Sequence, residues 1–255
     1  MREIKDIIYD KNNPDICMLD IYLPEDVENP PVYVYFHGGF LLKGRRNGRQ
    51  IVDTARYLTS RGVGFVSVDY RLYPNAHFPD FIEDGAKAVA YILNDSPIAP
   101  CKGGIVVGGT SAGAYIAMML FFAGSYLKNA GVPKNMIDGF FLDAGQPTAH
   151  FNVMAYDKGI DKRSIVIDET APFYYLREDF EGPQPDIFLS YADGDMINRE
   201  EQLKMLRNTM IEFNFPKEKI LLKMYENETH CSYFGKDFYM DDMISFIKNA
   251  VRGRG

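Results

Sequence analysis

Residues 105–114 read IVVGGTSAGA, and this stretch constrains the chain more than any other. A short apolar run ends in two glycines, a serine follows within Gly109-Thr110-Ser111-Ala112-Gly113, and a long apolar helical pattern comes next. This is G-x-S-x-G in the setting that gives it meaning, a strand, a sharp turn and a helix. The backbone at Ser111 must turn so tightly that neighbouring Cβ atoms would collide, which accounts for the flanking glycines. The hydroxyl then stands at the end of a strand and the start of a helix, where the helix N-terminus favours negative charge.

The rest of the chain alternates strands with helices. Residues 3–8 and 16–23 have the character of strands joined by a turn. In the second, Cys17, Leu19, Ile21 and Leu23 alternate with Met18, Asp20 and Tyr22, the period of an antiparallel edge region. The run 32–36 (VYVYF) has no polar face and reads as a buried strand. A helix is expected over about 48–60, a strand at 65–68, and a helix whose apolar positions include Ile82, Ala86, Val89, Ala90 and Leu93. Strand 105–107 leads through the serine turn to a helix over about 112–128. A strand at 136–143 precedes 40 residues, about 145–185, interrupted by glycine and proline, which read as a small polar cap insertion carrying one or two short helices. Strand 186–191, a helix over about 199–213, strand 220–225 and a helix ending near Lys248 complete the chain. The expected fold is α/β, one domain over 1–255 with a mostly parallel sheet of about eight strands and helices on both faces. In such sheets ligands bind at the carboxyl ends of the strands, where the loops bearing His37-Gly38-Gly39-Phe40, Ser111, Asp193 with Asp195, and His230 all fall.

Composition narrows the function. A chain of 255 residues that is 46% hydrophobic suffices for one full core. A net charge of −7 gives no support for a nucleic-acid partner, and the cluster Lys43, Arg45, Arg46 and Arg49 reads as a solvated loop and helix start. No stretch approaches the roughly 18 apolar residues of a membrane span. Residues 1–20 carry Asp6, Asp10, Asp15 and Asp20 and no signal-peptide core, so a soluble, cytoplasmic protein is expected. Cys17, Cys101 and Cys231 are too scattered for a disulfide framework, and no Cys/His spacing suits zinc. No metal or organic cofactor is implied, and the expected partner is a small ester.

A serine hydroxyl needs a base within hydrogen-bond reach. In a strand–turn–helix serine site the order along the chain is serine, acid, histidine. His37 and His77 precede Ser111, and His150 comes too early to follow an acid on a later strand, so His230 is the expected base. For the acid, Asp193 and Asp195 are both open, with Asp143 a third option. The glycine-rich turn after strand 32–36 can aim N–H groups at an oxyanion, joined by the N–H of Ala112.

Taken together, these stretches resemble the α/β-hydrolase fold and, within it, the hormone-sensitive-lipase-like esterases. The matching segments are LDIYLP at 19–24, HGGF at 37–40, DYRLYP at 69–74, Phe78-Pro79 with Asp84, GTSAG at 109–113, Asp195-Met196-Ile197 and His230. The resemblance selects Asp195 as the acid and implies oxyanion donors at Gly39, Phe40 and Ala112, with Gly38 shaping the loop. The chain departs from that pattern in three places. Phe40 stands where a third glycine is usual, Thr110 where Asp is usual, and Ala114 where glycine is usual.

The leading expectation is a serine carboxylesterase acting on short-chain acyl esters, acetyl esters of carbohydrates among them, through an acyl-enzyme. An amidase of the kynurenine formamidase type is the alternative. Such enzymes carry Trp two positions after the second glycine, where this chain has Leu41. A disabled small-molecule-binding relative would lack the histidine, and His230 is present.

Overall fold

The computed structural model describes residues 1–176, 180 and 182–252, so residues 177–179 and 181 of the 145–185 segment lie outside the described residues. The strands are β1 (Arg2–Ile8), β2 (Met18–Leu23), β3 (Val32–Phe36), β4 (Gly64–Val68), β5 (Ile105–Thr110), β6 (Gly139–Asp143), β7 (Asp186–Gly194) and β8 (Ile220–Thr229). They form one sheet in the order β1-β2-β4-β3-β5-β6-β7-β8. β1 pairs antiparallel with β2 and β2 with β4, while every later pair is parallel.

Helices cover both faces. α2 (Asp80–Asn94), α3 (Ala112–Phe122) and α6 (Arg199–Glu212) lie on one, and α1 (Arg49–Thr59) and α7 (Asp237–Ala250) on the other. Two short helices, α4 (Ser125–Asn129) and α5 (Phe151–Asp157), follow α3 and β6. Central strands buried on both faces explain runs such as VYVYF, in which all five residues are buried. α3 has no polar face for the same reason: it lies beneath other elements, with every residue from Ala112 to Leu120 buried.

Several sequence expectations shift. The strand expected at 136–143 begins only at Gly139, because a 3₁₀ turn occupies Lys134–Met136. The helix expected over 112–128 breaks at Ala123-Gly124 into α3 and α4. Glycine there permits the change of direction. β2 lies one strand inside the edge, which is β1, and Asp20 and Tyr22 are also buried, on the face where Tyr22 joins the cluster of α1 and Arg46 covers Asp20. Arg46, expected to be solvated, is 8% exposed. Its guanidinium bonds Asp20 at 2.9 Å, Asp69 at 2.6 Å and also Asp6. The residue covers the buried carboxylate of Asp20, a charge that could not stay buried without a partner. The 145–185 segment was expected to be polar and interrupted, yet its first residues, 145–150, are all buried.

The fold is very tight at the crossing of β5 and α3 over β3. A Cβ on Gly113 would lie 1.9 Å from the Phe36 carbonyl oxygen, and one on Gly109 would lie 2.5 Å from the same atom. Backbone occupies the space a side chain would need, and β3 is central and cannot give way. Gly113→Ala should therefore cost more than about 3 kcal/mol or prevent folding. A melting temperature within about 2 °C of wild type, which at this size is under about 1 kcal/mol, would show that the crossing can shift.

Candidate active site

Ser111 has φ 56° and ψ −113°, a backbone conformation that L-residues rarely adopt. It is held there by its N–H donating to the Asp143 carbonyl at 2.8 Å, and by Gly109 and Gly113, whose lack of a Cβ lets α3 turn back across β3. The hydroxyl thus sits at the N-cap of α3 rather than in a strand or a helix. Ala112 is the first helical residue, so its N–H has no carbonyl one turn earlier in the helix to pair with.

His230 follows β8 and Asp195 follows β7, and the pairing of these strands brings the two together. The parallel register shifts after Ala192 and resumes with Gly194 opposite Thr229, so the next residue of each strand, Asp195 and His230, emerges side by side. Nδ1 of His230 lies 2.6 Å from Asp195 Oδ1, and Nε2 lies 2.8 Å from Ser111 Oγ. With carboxylate on one side, Nδ1 carries the proton and Nε2 is left to accept from the serine. Burial alone would raise the Asp195 carboxyl. The bond and charge of His230, with the N–H groups of Ala192 at 3.1 Å and Met196 at 2.7 Å, outweigh it and hold the carboxyl below its ordinary value.

The other two carboxylates are engaged elsewhere. Asp193 accepts from the N–H groups of Asn227 and Glu228 at 2.8 and 3.1 Å, which fastens the end of β8. Asp143 points to the opposite side of the sheet. Burial raises its carboxyl, against the opposing effect of hydroxyl bonds from Tyr233 at 2.6 Å, Ser190 at 2.7 Å and Tyr239 at 3.0 Å. Among the histidines, His37 stacks on Tyr70 and its Nδ1 donates to Gly38 O at 2.8 Å. His77 pairs with Asp157. His150 caps α5 through Nδ1, and burial, helped by the charge of Arg199, pushes it down to about 3, so it stays neutral.

The His37–Phe40 loop lies against the serine, since a Cβ on Gly38 would lie 2.9 Å from the Thr110 carbonyl and 3.5 Å from Ser111 Cβ. Gly39 has φ 119° and its carbonyl accepts from Leu42 and Lys43, both at 3.0 Å. Phe40 and Leu41 follow with φ 65° and 62°, two consecutive non-glycine residues in the left-handed region. The Phe40 ring packs against Phe151 of α5 at 5.8 Å.

Sequence reasoning missed Asn152, whose Nδ2 donates to Phe40 O at 2.6 Å, and Arg199. The latter is 4% exposed and its Nη1 donates to Gly145 O at 2.5 Å, joining the acid loop to the segment after β6. Nothing in the local sequence of either distinguishes it from an ordinary helix-start residue.

Eight strands in this order, a left-handed serine between β5 and α3, and an acid and a histidine on the next loops of the sheet define an α/β-hydrolase. The chain belongs to the BD-FAE family, whose family model matches residues 19–153. It is similar to isoprenylcysteine alpha-carbonyl methylesterase ICME of Arabidopsis thaliana, with 24% identity over 90% of this chain and 58% of that protein. It is also similar to carboxylesterase NlhH of Mycobacterium tuberculosis, with 33% identity over 39% of this chain and 32% of that one. In both cases it spans less than two thirds of the relative's length. In fold it is similar to brefeldin A esterase, a bacterial homologue of human hormone-sensitive lipase, with a TM-score of 0.76 at 18% identity over 98% of this chain and 77% of that one. Among the described residues no helix is long and apolar enough to cross a membrane.

The lowered carboxyl of Asp195 has a consequence for stability. A carboxyl depressed in the folded state stabilises the fold above its unfolded value, near 4, and that contribution is lost as pH falls through the folded value. Asp195→Asn should therefore be less stable than wild type at about pH 7, with the difference shrinking below about pH 4. Urea melts across this range would test it. A difference that stays constant down to about pH 3 would show that the fold does not favour the ionised form.

Proposed function

We propose that this chain is a serine carboxylesterase that hydrolyses short-chain acyl esters through an acyl-enzyme intermediate. The observation that carries the reading is the relay of 2.8 and 2.6 Å from Ser111 through His230 to Asp195, on a serine held at φ 56°.

Ser111 Oγ attacks the ester carbonyl carbon as its proton passes to His230 Nε2. Asp195 holds the imidazole in the tautomer that accepts this proton and stabilises the imidazolium. Negative charge gathers on the former carbonyl oxygen. The N–H groups of Gly39, Phe40 and Ala112 receive it, on a loop that Gly38 keeps against the serine, and the α3 N-terminus adds to the favourable field. When the C–O bond to the alcohol breaks, His230 returns the proton to the leaving oxygen. Water, deprotonated by the same imidazole, then attacks the acyl carbon; the bond to Ser111 Oγ breaks, His230 returns the proton to Oγ, and the acid leaves. The segment 145–185 serves as a small cap on a single domain spanning 1–255.

The acyl side is read as small. The Phe40 ring stands where a third glycine would leave open space and packs against Phe151, and this pair is taken to narrow the acyl side. A long acyl chain gains about 0.8 kcal/mol for each methylene it buries, and an aromatic pair in its path removes that gain. Acetyl to butyryl esters should be preferred, with the alcohol side, a sugar among the candidates, open to solvent.

Ser111→Ala should abolish both hydrolysis and labelling by a fluorophosphonate, with the fold intact. Labelling that persists on another residue would place the nucleophile elsewhere. His230→Ala should be about as damaging and Asp195→Asn somewhat milder, while Asp193→Asn should retain most activity. For the substrate, kcat/KM is compared across p-nitrophenyl esters of rising chain length, for wild type and Phe40→Gly, beside N-formylkynurenine and methyl esters of bulky acids. An optimum at about eight carbons or more, or a preference for the methyl esters, would overturn the short-acyl reading.

A further inference from the structure

The oxyanion loop contains two residues, Phe40 and Leu41, in a backbone conformation that neither side chain favours. Something outside the loop must hold them there, and both of their carbonyls are held. Asn152 Nδ2 donates to Phe40 O at 2.6 Å, and the N–H of Tyr73 donates to Leu41 O at 2.9 Å.

Both restraints lead to one short helix. Asn152 is the second residue of α5, 5% exposed, and its own N–H is fixed by the ring of His150 at 3.2 Å. Asp157 is the last residue of α5. It accepts from the Tyr73 hydroxyl, lies 2.6 Å from His77 Nδ1, and accepts from the Phe78 N–H at 3.1 Å. Tyr156 of the same helix stacks on Tyr73 at 4.7 Å between ring centres. α5 therefore grips the oxyanion loop directly at one end and through the 73–78 loop at the other.

We propose that Asn152 is a positioning residue for the reaction, holding the Phe40 peptide so that the loop keeps its left-handed turn and presents its N–H groups to the oxyanion. This inference rests on the esterase reading above and adds that α5 sets the competence of the oxyanion loop as well as covering it. An L-residue left unsupported at positive φ prefers right-handed or extended backbone by a factor of about five to thirty. Glycine has no such preference. The dependence on Asn152 should therefore be large with Phe at position 40 and small with Gly.

The test is a double-mutant cycle on p-nitrophenyl acetate with Asn152→Ala, Phe40→Gly and the pair. Asn152→Ala should lower kcat about five- to thirtyfold, short of the roughly hundredfold or more expected for outright loss of an oxyanion donor, with KM changed by less than about threefold. In the Phe40→Gly background the same substitution should lower kcat by less than about threefold. Asn152→Leu keeps the shape without the donor and replaces the alanine variant if that does not melt cooperatively. A kcat within about twofold of wild type, a loss carried by KM, or equal losses in the two backgrounds would each overturn the proposal. Ser111→Ala measured alongside separates the two levels. Hydrolysis surviving in it defeats the esterase assignment, whereas additivity between positions 40 and 152 defeats only the role of Asn152.

Discussion

The close approach of α3 to β3 is the contact on which the rest depends. Because Gly109 and Gly113 carry no side chain, the chain leaves β5, turns through a left-handed Ser111 and runs back directly over the Phe36 carbonyl. That crossing places a helix N-terminus and a serine hydroxyl at the carboxyl edge of the sheet, and it brings the loop after β3 against the serine, with Gly38 beside Thr110 and Ser111. Strain at Ser111 is tolerated because its surroundings over-determine it: a hydrogen bond to the Asp143 carbonyl on one side, a helix buried from Ala112 to Leu120 on the other.

The same segment of chain solves two problems at once on the other side of the sheet. β6 ends in Asp143, whose backbone steadies the serine while its side chain turns away to three hydroxyl donors. The chain then continues into a buried stretch that Arg199 ties to the acid loop and α5 ties to the oxyanion loop. The loops bearing Ser111, Asp195 and Phe40 come from different parts of the sheet, yet they share supports rather than standing as three separate loops.

Much of this was legible in the sequence because its local physics is unambiguous. The five-residue apolar run of β3, the glycines about Ser111 and the order serine, acid, histidine each admit few structures. Where local signals misled, a tertiary partner had intervened. Arg46 sits in a basic, loop-like stretch, yet three carboxylates distant in sequence draw it inward. Asp20 and Tyr22 alternate with apolar residues in an edge region, but Arg46 covers the one and the α1 cluster packs on the other. Asp143, Asp193 and Asp195 all lie at or just past strand ends, and the residues alone left them open as the acid; only the resemblance carried by Asp195-Met196-Ile197 singled out Asp195.

By itself, then, the sequence determined the alternation of strands and helices, the serine turn and the candidacy of His230, since each follows from periodicity, from the steric needs of a tight turn or from order along the chain. Only the tertiary structure decided that Asp195 faces the imidazole, because that depends on a register shift between β7 and β8 that sets Gly194 opposite Thr229. It alone also decided that a helix from the 145–185 segment holds the loop bearing Phe40, because the bond from Asn152 to Phe40 joins residues 112 apart. Contacts between residues so distant in the chain leave no local period or spacing to read.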